Sequence, residues 1–225
     1  MKFDFSKAAK AQRILKDNLK LVPFEKDVKL IAGCDLTFLN PYKTPTTGIG
    51  AFVVLSFPEL EVIERVYEIM DVSVPYVPGF LAFREIPLLL KTFRKLKSKP
   101  DIVIVDGHGI AHPRRLGIAA HFGVVAGIPT IGCAKKPLYG EFELPCERKG
   151  CFSPIKAPDT KETLGYALRT RNGVKPVYVS PGNLIDLNGT LELMLKLSER
   201  SKYRIPEPTR LAHNYLQEVR RSFLK

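Results

Sequence analysis

The sequence predicts an α/β domain built on one mixed sheet, with three antiparallel strands first, parallel strands after them and helices on both faces. Three observations carry that prediction. Apolar runs of strand length, joined by short Pro-, Gly-, Thr- and Asn-rich links, fill residues 28–70. Beyond them, strand-length runs alternate with segments of helical periodicity, as crossover connections require. The 225 residues show no break in composition, and with 45% hydrophobic and 26% charged residues the chain can bury one core, so residues 1–225 are read as one domain.

Residues 6–20 read as an amphipathic helix, with Ser6 as N-cap and Ala9, Ile14, Leu15 and Leu19 on its apolar face. Strands follow at 28–38, 48–57 and 62–70; the third alternates Val62, Glu64, Val66, Glu68, as a half-exposed strand does. After the rigid run Pro75-Tyr76-Val77-Pro78-Gly79, residues 80–97 are helical. Leu81, Glu85, Leu88 and Leu89 share a face there, and lysines load the C-terminal end until Pro100 stops the helix. Residues 101–106 (Asp-Ile-Val-Ile-Val-Asp) form a buried strand, 117–127 a helix of small residues and 129–135 another strand. Residues 140–160 read as irregular, 164–170 and 176–180 as a strand pair around an Asn172-Gly173 turn, and 184–198 and 209–223 as helices.

The net charge is +12 and favours a polyanionic partner, although each basic group also reads as a solvated helix face. The groups are Lys7 to Lys16, Lys91 to Lys99, and Arg200, Lys202, Arg204 and Arg210. The first twenty residues lack the apolar centre of a secretion signal, and residues 122–134 are too short to span a bilayer, so a cytoplasmic protein without membrane contact is expected. Four cysteines without a CxxC pair argue against zinc, while Cys146 and Cys151 could close a small loop.

Asp35 near the end of the first strand, Glu85 in the first turns of the following helix, Asp106 at the end of the fourth strand and His213 in the last helix converge if the first and fourth strands are neighbours. Two carboxylates about 4 Å apart repel by roughly 4 kcal/mol at an effective dielectric near 20, so either one protonates or a divalent cation holds them. Hard oxygen donors and a phosphate substrate point to Mg²⁺, with Mn²⁺ able to substitute. Taken singly, each residue has an ordinary reading: Asp35 and Asp106 as turn formers, Glu85 as a helix-face acid, His213 as a satisfied histidine. The run Asp106-Gly107-His108-Gly109 is no dinucleotide fingerprint, because His112 holds the place of the third glycine.

These residues stand in runs that resemble the endonuclease V family: Gly33-Cys34-Asp35-Leu36, the eleven residues 75–85, residues 106–114, Gly132-Cys133-Ala134-Lys135, Val179-Ser180-Pro181-Gly182, and residues 204–213. Two positions depart from the pattern, His108 and Asn183. The resemblance implies a ribonuclease H-like fold, a metal site of Asp35, Glu85 and Asp106, and His213 close by. It also implies that Lys135 lies near the scissile phosphate and that His112 is a further active-site position. Members of the family cut the second phosphodiester bond 3′ to deoxyinosine, leaving 3′-hydroxyl and 5′-phosphate ends and initiating repair. The implied partner is DNA containing deoxyinosine, or RNA containing inosine, met by a monomer. Rival readings are a nuclease of the same fold with another specificity and a non-catalytic binder; the three acids argue against the second.

On this resemblance Pro75, Tyr76, Val77 and Pro78 form a stiff wedge that fills the gap left by an extruded base, or else a plain rigid turn. Hypoxanthine presents an acceptor O6 and a donor N1–H where adenine has an amine and an acceptor. Gly79, Leu81, Gly107 and Gly109 are the expected lining of a pocket that reads that exchange. His112, Ser180 and Gly182 are expected at phosphates, the last two through amides at a helix start, with a simple cap as the other reading.

Overall fold

The computed structural model describes residues 4–77 and 80–224. β1 (Leu30–Phe38), β2 (Thr46–Ser56) and β3 (Val62–Val72) form the expected antiparallel meander. After α2 (Leu81–Phe93), β4 (Ile102–Val105) pairs parallel with β1; after α3 (Ile118–Ala126), β5 (Thr130–Ala134) pairs parallel with β4. The sheet continues through β8 (Val177–Asn183), β7 (Thr163–Leu168) and β6 (Phe152–Lys156), all antiparallel, in the order β3-β2-β1-β4-β5-β8-β7-β6. α1 (Phe5–Asp17) precedes the sheet, and α4 (Leu187–Arg200) and α5 (Glu207–Phe223) end the chain.

The strand period of two sorts the apolar residues between two cores. Ile31, Val53, Leu55, Ile102, Ile104 and Ile131 meet α4 and α5 through Leu193, Met194, Leu197 and Ala212. Ala32, Cys34, Phe52, Val54, Val103 and Val105 meet α2 and α3 through Ile86, Leu89, Ala119 and Phe122. Burial on both faces explains why β1, β2 and β4 read as continuous apolar runs rather than alternating ones.

Four local expectations change. Asp4 caps α1, its carboxylate accepting from Lys7 N at 3.0 Å, and Ser6 lies inside the first turn. α2 stops at Phe93 because Glu64 on β3 captures the backbone N–H groups of Lys97 and Ser98. Residues 152–156 are not irregular but form the edge strand β6, the place where a strand tolerates a residue such as Pro154. Ser180, Pro181 and Gly182 lie inside β8, and α4 starts only at the Asp186 cap.

Cys146 and Cys151 form a disulfide, with Cα atoms 5.6 Å apart, and Cys34 and Cys133 are buried thiols. Among the described residues no helix is long and apolar enough to cross a membrane.

Candidate active site

The sheet register builds the site. β1 and β4 run parallel with Cys34 level with Val105, so the next residues, Asp35 and Asp106, stand side by side. Glu85, in the second turn of α2, reaches over the same strand ends. The three acids line one cavity of about 100 Å³ together with Cys34, Leu36, Leu89, Val105 and Ile118.

Gly33 brings the fourth group in. A Cβ there would lie 2.0 Å from the Pro208 carbonyl group, so only glycine lets the start of α5 rest on β1. That contact sets His213 Nδ1 2.7 Å from Asp35 Oδ2, while Asp35 Oδ1 accepts from Leu36 N at 2.8 Å. Lys135, just past β5, donates from Nζ to Asp106 Oδ2. Its backbone is held in turn by Arg204, whose Nη2 donates to Lys135 O at 2.8 Å and to Pro176 O at 3.0 Å.

Burial and mutual repulsion penalise the charged acids. Burial, then the Asp106 charge, raises the Asp35 pKa despite the His213 contact. Burial pushes Glu85 up to about 7; the Arg84 charge opposes this and the Asp35 charge adds to it. Burial alone would lower Lys135, but its bond to Asp106 and the charges of Asp106 and Asp35 outweigh that and keep it a cation.

Among the described residues no three His, Cys, Asp or Glu side chains already close into a metal cluster. One oxygen of each aspartate is engaged instead: Asp106 turns one to Lys135 and Asp35 turns one to His213. The donor set nevertheless fits a hard divalent cation. Three carboxylates share one small cavity, and positive charge between them offsets both the burial and the repulsion.

Beside the acids lies a larger cavity of about 510 Å³, lined by Leu81, Glu85, Asp106, Gly107, His108, His112, Arg114 and Leu138 among others. Of the expected base-pocket residues, Leu81 and Gly107 line it, while Gly79, like Pro78 of the expected wedge, falls outside the described residues. Gly109 does not line it. A Cβ on Gly109 would lie 1.9 Å from Pro181 O, so its small size serves backbone packing against β8.

Ser180 and Gly182 are likewise not at a helix start. Both are buried in β8, and Ser180 Oγ accepts from Gly109 N at 2.9 Å while Pro181 O accepts from Ile110 N at 2.8 Å. They stand within a strand, so the expected placement at the N-terminal amides of a helix is not met. Pro and Gly together resembled a break in the chain, but β8 runs through them at the register shift opposite Thr130 and Ile131.

His112 accepts from Arg114 N at 3.1 Å, and burial, with the Arg114 and His108 charges, pushes its pKa down to about 4. It is therefore neutral near pH 7 and can offer a ligand hydrogen bonds but no charge. Tyr76, between Pro75 and Val77, is 45% exposed, and its ring centroid lies 5.6 Å from that of Tyr42.

Not every basic residue faces a partner. Lys91 and Lys95 pair with Glu68 at 3.0 and 2.6 Å, and Arg210 pairs with Glu207 through Nε at 2.8 Å. Tyr42, Arg84 and Leu138 carry no individual role in the sequence, and Arg204, one of its basic group, holds the Lys135 backbone as well. Tyr42 sits in an Asn-Pro-Tyr-Lys-Thr-Pro loop whose two prolines were the available signal. For Leu138 and Arg204 the contacts are long-range and have no local signature.

The profile described as Endonuclease V matches residues 13–214. A relative named Endonuclease V from Petrotoga mobilis is 44% identical over 211 residues, covering 94% of this chain and 91% of its own. The crystal structure of Endonuclease V from Streptomyces avermitilis superposes with a TM-score of 0.90 at 36% identity, covering 100% of this chain and 96% of that one. Endonuclease V from Ciona intestinalis, in complex with a 24mer DNA containing an inosine followed by a ribo-adenosine, superposes with a TM-score of 0.83 at 25% identity, covering 97% and 98%. The fold shared with these structures is the ribonuclease H-like arrangement that the sequence resemblance implied.

Proposed function

The chain belongs to the endonuclease V family, and from that premise we propose that it nicks DNA at the second phosphodiester bond 3′ to deoxyinosine, in a reaction that depends on Mg²⁺. The observation that carries this reading is the meeting of Asp35, Glu85 and Asp106 in one cavity at the ends of adjacent parallel strands. A relative of the same fold is bound to DNA containing an inosine, which supports the choice of substrate.

In this reading the three carboxylates hold the ion, and the chemistry it supplies when bound is Lewis acidity toward the scissile phosphate and the attacking water. His213 holds Asp35 in position through Nδ1 and, with a side chain 46% exposed, is open to proton exchange at the reacting end. Lys135 stays charged, and its ammonium, held beside Asp106, would balance charge on the phosphate. The 510 Å³ cavity takes the extruded base. A base edge covered by the lining at Leu81 and Gly107 would have to find its hydrogen bonds there, so adenine would leave mismatched polar groups costing about 1–3 kcal/mol each. Tyr76 fills the space the base vacates, and the surplus of cations draws the strand in through phosphate contacts.

The test is a labelled duplex carrying one inosine, with and without Mg²⁺, for the wild type and Asp106→Ala. The expected result is a single nick whose product length marks the second bond 3′ to inosine, with 3′-hydroxyl and 5′-phosphate ends, absent without metal and absent in the variant. Equal cutting of an unmodified duplex would overturn the substrate assignment. A second reading, inosine in RNA, draws on the ribo-adenosine in the Ciona complex; an inosine-containing RNA strand in the same assay decides between them.

A further inference from the structure

The connection between β1 and β2, residues 39–45, is pinned to the body of the molecule by one buried arginine. Arg84 is 1% exposed, and its guanidinium carbon lies 4.3 Å from the centroid of the Phe38 ring. It donates to Pro41 O at 2.7 Å and, more weakly, to Lys43 O at 3.5 Å. Those two carbonyls flank Tyr42. An arginine is costly to bury, and the donors used here fix the backbone on either side of a single residue.

Among the described residues that one is the most exposed large apolar or aromatic side chain: Tyr42 is 83% open to solvent. Its ring meets Tyr76 edge-to-face, with centroids 5.6 Å apart and planes at 67°. An aromatic ring left in water adds little to folding. Held by a fixed backbone, it loses little entropy on meeting a flat partner. The loop leaves β1 at the end that carries Asp35, and the arginine that holds it is the chain neighbour of Glu85, so the loop with Tyr42 and exposed Lys43 is tied to the two elements that carry these acids.

We propose that Tyr42 is a second nucleobase contact, stacking on a base beside the inosine so that two tyrosine rings, not one, grip the distorted strand. The inference rests on the inosine-DNA reading above. Stacking on an aromatic side chain is indifferent to base identity, so Tyr42 adds affinity at the lesion without reading sequence.

The experiment measures binding of the full chain to a fluorescent inosine duplex without divalent cation, so that no strand is cut, with 2-aminopurine beside the inosine to report unstacking. Tyr42→Ala is expected to weaken binding roughly tenfold and to reduce the 2-aminopurine change, while Tyr42→Phe keeps both. Added to Tyr76→Ala, Tyr42→Ala is expected to weaken binding roughly tenfold further, which a mere support for Tyr76 would not do. Wild-type affinity in Tyr42→Ala, or a double variant no weaker than Tyr76→Ala, would overturn the proposal while leaving the function above intact. Wild-type protein that binds inosine and unmodified duplexes equally would remove that function and this inference with it. The exposed side chain makes the alanine variant safe to fold, and an unchanged melting temperature checks it.

Discussion

β4 carries an aspartate at each end, and the two are treated in opposite ways. Asp101, just before the strand, accepts from Lys29 N at 2.8 Å and Leu30 N at 3.0 Å and pairs with Lys26 at 2.6 Å. Burial alone would raise its pKa, but those partners outweigh it and hold the carboxyl below its usual range. Asp106, just after the strand, faces Asp35 and Glu85, both raised by burial and by neighbouring negative charge. One end of β4 ties β1 to β4. The other gathers charge that the fold does not fully compensate, which is the usual mark of a site built for a ligand rather than for stability.

The predictions probe that contrast. The largest effect belongs to the acids: on the proposed function, Asp106→Asn and Asp35→Asn each remove a cation ligand worth several kcal/mol to the transition state. Single-turnover nicking should therefore fall by about a thousandfold or more, with no loss of melting temperature. His213→Ala leaves the three acids in place but frees Asp35, so the same assay should show a loss of roughly 10–100-fold.

Asp101→Ala should do the reverse, lowering stability by about 2 kcal/mol, or a Tm fall on the order of 5 °C in calorimetry, with nicking unchanged. If Asp106→Asn proved the destabilising variant and Asp101→Ala the inactive one, the contrast would be wrong.

The smallest effect is a pH slope. The folded-state pKa of Glu85 is raised from 4.5 to about 7, so its contribution to stability is present below pH 4.5 and is lost as pH rises through 7. Asp101 has the opposite sign: its contribution is present above its unfolded pKa and is lost in acid. In the metal-free protein Glu85→Gln should therefore melt on the order of several degrees above the wild type at pH 8 and level with it at pH 4. Parallel melting curves for the two across that range would remove the claim.

Much of this was legible in the sequence because the acids follow uninterrupted apolar runs. Asp106 closes Ile102 to Val105, and Asp35 sits in β1, so neighbouring parallel strands were enough to bring them together. What escaped depended on distant partners. Ser180 and Gly182 resembled a helix start because Pro181 separates them, and only pairing with β5 makes that stretch a strand. β6 hid behind Pro154, which an edge position tolerates. The end of α2 is set by Glu64, twenty-nine residues before Phe93 in the chain. Tyr42 has no periodicity to mark it; its placement follows from Arg84, forty-two positions away.

Electron paramagnetic resonance of free Mn²⁺ tests the account most directly, because it counts the cation without needing a substrate. The wild-type protein and Asp101→Ala should both deplete the free Mn²⁺ signal, while Asp106→Asn and Glu85→Gln should leave most of it in solution. Depletion that survives loss of either acid, or none by the wild type, would contradict a cation site at the ends of β1 and β4.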